Sequence, residues 1–140
     1  MEIAARDKTD MCFGCGRDNP IGLKLDFRLE EGKAKAEFTP GFTHQSWKGI
    51  FHGGLLALCL DEAFGYVLYL QGLKGLTAKM DLRIRRTIRT GEKIFLTAEI
   101  SRRRRKIIET QARAELEDGT LAAEASALMV LTSQDFGPDR

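Results

Sequence analysis

From Leu23 onward, apolar and polar residues alternate. Leu23, Leu25, Phe27 and Leu29 are separated by Lys24, Asp26 and Arg28, and after Glu31-Gly32 the same period returns in Ala34, Ala36 and Phe38. Side chains of a strand point to its two faces in turn, so this spacing predicts a hairpin of two half-buried strands. Residues 39–51, TPGFTHQSWKGIF, have no period and read as a loop. From Gly53 to about Leu70 the chain is apolar almost all round, broken mainly by Asp61 and Glu62. That run is too long for a typical strand and predicts one buried helix. Four alternating runs follow: Ala78 to Ile84, Ile94 to Ile100 after a Thr90-Gly91 turn, Ile108 to Leu116, and Ala123 to Leu131 after Asp118-Gly119. Their short connections predict antiparallel strands.

A strand pair, one apolar helix and four more strands make an α+β domain, an antiparallel sheet wrapped around one long central helix. The length of 140 residues suits a single domain over 1–140, able to build a core without disulfides or metal. Within it, residues 1–22 carry turn formers (Gly14, Gly16, Asn19, Pro20, Gly22) and are expected to be irregular, and residues 134–140 to form a frayed tail. A hydrophobic fraction of 43% with 30% charged residues excludes the disordered and membrane classes. No apolar run reaches membrane-spanning length, and the first ten residues carry charge where a secretory signal needs an apolar stretch, so a cytoplasmic location is expected. The odd set of Cys12, Cys15 and Cys59 suits a reducing compartment better than a disulfide framework. Cys12-x-x-Cys15 has no second pair to complete a zinc set, so no metal is expected. Net charge is only +2, and global charge therefore argues for no particular partner.

The candidate chemistry sits on the helix. An acid inside so apolar a segment needs a reason, because an unpartnered buried carboxylate costs several kcal/mol. Asp61 shares its helical face with Gly54, Ala57 and Gly65, all small, so a ligand or another backbone can come close. Gly53-Gly54 leaves bare N–H groups at the helix start, where the dipole favours a developing negative oxygen. Gly53 and Asp61 are eight residues apart, about 12 Å along one helix, too far to act on one carbonyl. Two copies with antiparallel helices about a two-fold axis would bring Gly53 of one chain near Asp61 of the other, twice over.

The segments MCFGCGRDNPIGLKLDF, GIFHGGLLALCLDEAFG, TAKMDLRIRRTIRTGE and ELEDGTLAAEASALMVL together cover nearly the whole chain. In combination they resemble the hotdog-fold acyl-CoA thioesterases of the phenylacetate-pathway and thioesterase-superfamily-member type. The resemblance implies hydrolysis of a thioester to a free acid and coenzyme A. It places His52 at the turn that starts the helix, the oxyanion N–H at Gly53 and the catalytic acid at Asp61, as general base or nucleophile. It matches Thr77 to a hydroxyl that positions the attacking water, and Ser46 to a polar residue, often Asn, near the thioester. It also implies a homodimer, leaves a dimer of dimers open, and calls for no cofactor, coenzyme A being part of the substrate.

Arg102, Arg103, Arg104, Arg105 and Lys106 form the sharpest charge cluster, with Arg83, Arg85, Arg86 and Arg89 one strand earlier. Arginine forks suit phosphate oxygens, and the resemblance gives this region, with Arg86, to the nucleotide end of coenzyme A. A solvated strand end and a nucleic-acid surface are the other readings; the lack of interleaved aromatics disfavours the latter. Outside hydrolysis, the alternatives are a non-catalytic acyl-CoA or nucleic-acid binder and an acyl-CoA hydratase or dehydratase.

Overall fold

A computed structural model of the chain describes residues 10–133. The expectation of a frayed tail at 134–140, and the first nine residues of the irregular N-terminal segment, lie outside the described residues. In chain order the strands are β1 (Arg28–Glu30), β2 (Lys33–Phe38), β3 (Gly75–Ile84), β4 (Ile94–Arg104), β5 (Ile107–Leu116) and β6 (Leu121–Leu131), with the helix α1 (Gly53–Tyr69) between β2 and β3. They form one antiparallel sheet in the order β1-β2-β4-β5-β6-β3. The helix lies against β2, β3, β4 and β5, and the sheet wraps around it in the expected α+β hotdog arrangement. Leu60, Phe64, Tyr66 and Leu68 of α1 are wholly enclosed together with Ile94, Leu96, Ile108 and Met129 from the strands. Burying side chains of this size is the main favourable term in folding, at about 1.5–3 kcal/mol each.

One expectation needs correction. The alternation from Leu23 to Leu29 predicts a full strand, but only Arg28–Glu30 is paired with β2. Lys24 has a φ of 54°, which breaks the extended path. The Leu23 and Leu25 N–H groups donate instead to the carbonyls of Phe13 and Gly14, both at 2.9 Å. Leu23, Leu25 and Phe27 are still buried, Phe27 stacked on Tyr66 of the helix, so their period came from burial and not from a strand ladder. β3 and β4 are joined in sequence but are not neighbours in the sheet. β3 pairs with β6 at the sheet edge. The connection, including Thr90-Gly91, is tied to the 39–51 loop: Thr90 N–H donates to Gly49 O at 3.0 Å and Gly91 N–H to Pro40 O at 2.7 Å. Alternation identifies a strand but not the strand it pairs with.

Candidate active site

His52 ends the loop and caps the helix. Its Nδ1 accepts from the Gly54 N–H at 2.8 Å, satisfying one orphan donor of the first turn. The fit is close, since a Cβ on Gly54 would sit 3.0 Å from the His52 ring. The Gly53 N–H has no acceptor among the described residues. His52 N–H in turn donates to His44 O at 2.9 Å, which holds the segment carrying Gln45 and Ser46 beside the helix start. Ser46 is exposed there, its N–H donating to Ile50 O. Ile84, at the end of β3, comes within 3.4 Å of the place a Gly53 Cβ would occupy. Arg86 follows shortly after, with a guanidinium 3.3 Å from Glu92. His52, Gly53, Ser46 and Arg86 thus gather at one end of the molecule.

Asp61 lies two helical turns away, on the face of α1 turned from the core. Gly54, Ala57, Asp61 and Gly65 are all exposed or half-buried, whereas Leu56, Leu60 and Ala63 are buried. Thr77 reaches Asp61 from β3, its Oγ1 donating to Asp61 Oδ1 at 2.7 Å. Strand periodicity would not put it there. Met80 and Leu82 pack against the core, so an unbroken alternation turns Thr77 outward. A β-bulge between Thr77 and Lys79 inserts one residue opposite β6, so that Thr77 pairs with Met129 and Lys79 with Leu128. The extra residue reverses the parity and sends Thr77 inward, with Met129 Sδ at 3.3 Å.

The basic tract belongs to this second end. Thr77 pairs with Met129, Met129 with Ile108 and Ile108 with Arg103, one continuous row across β3, β6, β5 and β4. Three strand spacings separate Thr77 from Arg103, about 14 Å. Directly paired residues share a face of the sheet, and Met129 and Ile108 are buried on the helix side. A second bulge, between Ile100 and Arg102, puts Arg103 on that same side; Arg102 and Arg104 take the outer face with their partners Glu109 and Ile107. Arg105, with φ 56°, makes the turn to Lys106. The predicted site residues therefore fall into two groups at opposite ends of one chain, and Arg86 is not brought to the tract at 102–106.

Among the aromatic residues of the region, Phe51, Phe64 and Tyr66 are buried in the core, and Trp47 is 84% exposed. A groove of about 1030 Å³, lined by Lys33, Lys35, Glu99, Arg113 and Glu124 among others, lies on the outer face of the sheet, away from Asp61. Its side chains alternate with the buried Ala34, Ala98, Ala112 and Ala114, and Lys33 and Glu99 already pair at 3.7 Å. Neither Cys15 nor Cys59 is placed as a nucleophile. The Cys15 thiol is pushed far up by its hydrogen bond with Cys12, then by burial and by the Glu62 charge, and burial pushes Cys59 up to about 12.

One buried acid escaped the sequence reading. Glu62 is 5% exposed, and its Oε1 accepts from Cys12 Sγ at 3.3 Å. The available signal was the coincidence of an acid in an apolar helix with a Cys-x-x-Cys-Gly turn elsewhere in the chain.

The sequence model of the thioesterase superfamily matches residues 48–123, a stretch that holds His52, Gly53, Asp61, Thr77 and the basic tract. No curated protein matches the sequence. Among solved structures, a thioesterase superfamily protein is 24% identical with a TM-score of 0.81 over 86% of this chain, which spans only 60% of that protein. The Escherichia coli PaaI protein, from the phenylacetic acid degradation operon, is 20% identical with a TM-score of 0.74, over 79% of this chain and 81% of its own. A hypothetical thioesterase of Streptococcus pneumoniae, solved with coenzyme A, is 18% identical with a TM-score of 0.74, over 79% of this chain and 87% of its own. Two further structures of that protein are of single alanine variants, at an aspartate and at a threonine sixteen positions later.

Proposed function

The chain belongs to the thioesterase superfamily, and from that membership we propose that it hydrolyses an acyl-CoA thioester to a free acid and coenzyme A at sites shared between two copies. The observation that carries the reading is the Thr77–Asp61 hydrogen bond of 2.7 Å on the open face of the helix. Thr77 has one proton and gives it to the carboxylate, which fixes the orientation of Asp61. The Thr77 oxygen keeps lone pairs that accept from a water, so the two side chains together hold a nucleophile beside a base. The spacing supports the assignment, since Asp61 and Thr77 are separated by 16 positions, as are the aspartate and threonine replaced in the S. pneumoniae thioesterase.

The division into half-sites supports a dimer. Asp61, Thr77 and Arg103 of one copy need an oxyanion donor, and Gly53 of their own helix is about 12 Å away. An antiparallel partner supplies Gly53, His52, Ser46 and Arg86 at that point. β3 is an edge strand of ten residues, and its unpaired side is a natural template for a second copy. In this reading the thioester oxygen lies on the Gly53 N–H, and Asp61 of the other subunit either activates a water that attacks the carbonyl carbon or attacks it itself to form an anhydride that water then hydrolyses, the thiolate of coenzyme A leaving in both cases. Arg102 to Lys106 hold the phosphates of the nucleotide, Arg103 from the inner side.

A thiol-release assay over a panel of aliphatic and aryl acyl-CoAs tests this. Turnover of at least one member is expected. Tight acyl-CoA binding with no release would make the protein a binder, and release unaffected by Asp61→Asn would remove the mechanism.

A further inference from the structure

Outside the proposed active site, on the buried flank of the helix that carries Glu62, the N-terminal loop and α1 converge on three metal-ligating groups. The ligand atoms of Cys12, Cys15 and Glu62 all lie within 4.8 Å of one another. Around a tetrahedral zinc, bond lengths of about 2.3 Å to sulfur and 2.0–2.2 Å to oxygen place such atoms about 3.6–3.8 Å apart. Cys12 Sγ and Glu62 Oε1 are already at 3.3 Å. The three atoms are thus within about 1 Å of the spacing that a tetrahedral ion needs.

The loop is built to hold this arrangement. Gly16 N–H donates to Cys12 O at 2.8 Å, closing a turn that presents both sulfurs on one side. Phe13 O and Gly14 O accept from Leu23 and Leu25, locking the turn onto the following segment. Gly14 lies directly over the acid, where a Cβ would stand 2.3 Å from Glu62 Cγ, so only glycine lets the loop approach so closely. Cys15 is 1% exposed and Glu62 5%, whereas Cys12 is half-buried and leaves solvent a way in.

Chemistry selects the ligand. The negative forms of the two thiols and of the Glu62 carboxylate repel one another at this spacing. A divalent cation turns that repulsion into coordination. Two thiolates with one carboxylate suit a soft to borderline ion of the zinc class, and not calcium or magnesium, which take oxygen. We propose that Cys12, Cys15 and Glu62 form a zinc-class cation site with a water in the fourth position, clamping the N-terminal loop onto the central helix. On binding, the two thiol protons pass to solvent as two metal–sulfur bonds and one metal–oxygen bond form. The site rests on none of the proposed catalytic residues.

Cobalt(II) is the probe. Metal-free, reduced full-length protein titrated with Co²⁺ is expected to develop a thiolate-to-cobalt charge-transfer band that saturates at one ion per chain and is abolished by zinc. Cys12→Ser, at the half-buried edge and so tolerable for folding, should lose most of the band. Glu62→Gln should retain a band but bind Co²⁺ at least about ten-fold more weakly, the lower bound for losing even an outer-shell partner. Zinc should raise the melting temperature of the wild type and leave that of a folded Cys12→Ser variant unchanged. No band in the wild type, or a band unaltered by Cys12→Ser, would overturn the proposal. A Glu62→Gln affinity equal to wild type would overturn the three-ligand site, and a Cys12–Cys15 disulfide in freshly isolated protein would replace it with a redox pair.

Discussion

At the scale of single residues, the arrangement separates chemistry from binding. Asp61→Asn keeps size and polarity but removes the proposed base, so turnover should fall by about 10²-fold or more with little change in stability. Steady-state kinetics beside thermal melting checks both. Thr77 touches that carboxylate at 2.7 Å, so Thr77→Val should lower kcat and Thr77→Ser should keep most of it; activity kept in Thr77→Val and lost in Thr77→Ser would point to packing by the methyl group. The basic tract divides by face. Arg103 shares the inner face with Ile108, and Arg104 the outer face with Ile107. Arg103→Gln should therefore raise KM for acyl-CoA, more at low salt than at high salt, with kcat nearly intact, and Arg104→Gln should do less. An unchanged KM in both would return the tract to a solvated strand end.

Among the elements, irregularities of the strands matter as much as the strands. The bulge between Thr77 and Lys79 and the one between Ile100 and Arg102 each reverse which side chains face the helix, and without them neither Thr77 nor Arg103 would point to the inner side. The helix depends on its surroundings in a different way. Its N-cap is a histidine, and Glu62 on its flank is accommodated only because residue 14 has no side chain. Gly14→Ala must displace Glu62 or the loop, and overpacking of this kind costs about 1–3 kcal/mol. Urea unfolding is the measure, with a lower midpoint at unchanged slope expected.

For the whole molecule, shared sites make a prediction that no single-chain mechanism makes. Asp61→Asn and Gly53→Pro should each be inactive alone and complement each other when mixed. The proline is compatible with folding. Gly53 is the first residue of the helix, where proline is tolerated, and His52 before it is already extended at φ −62° and ψ 126°, as a residue preceding proline must be. With free exchange half the molecules are heterodimers carrying one intact site of two, so about a quarter of wild-type activity should return. Exchange without recovery, in variants that gel filtration and circular dichroism find folded and dimeric, would exclude a site across an interface. Among the described residues no helix is long and apolar enough to cross a membrane.

What the sequence determined by itself was whatever depends on local period and local chemistry. The apolar run from Gly53 fixed the helix to within a residue of its observed end at Tyr69. Alternation located the long strands. Tertiary structure alone decided what depends on partners distant in sequence. It put β3 beside β6 and not β4, because a strand's period is the same whatever it pairs with. It paired Leu23 and Leu25 with the N-terminal loop although they alternate like a strand. It turned Thr77 and Arg103 inward, because one inserted residue reverses every later side chain and leaves no mark in composition. And it brought Glu62 to Cys12 across fifty positions of chain, a proximity that exists only once the loop has folded over the helix.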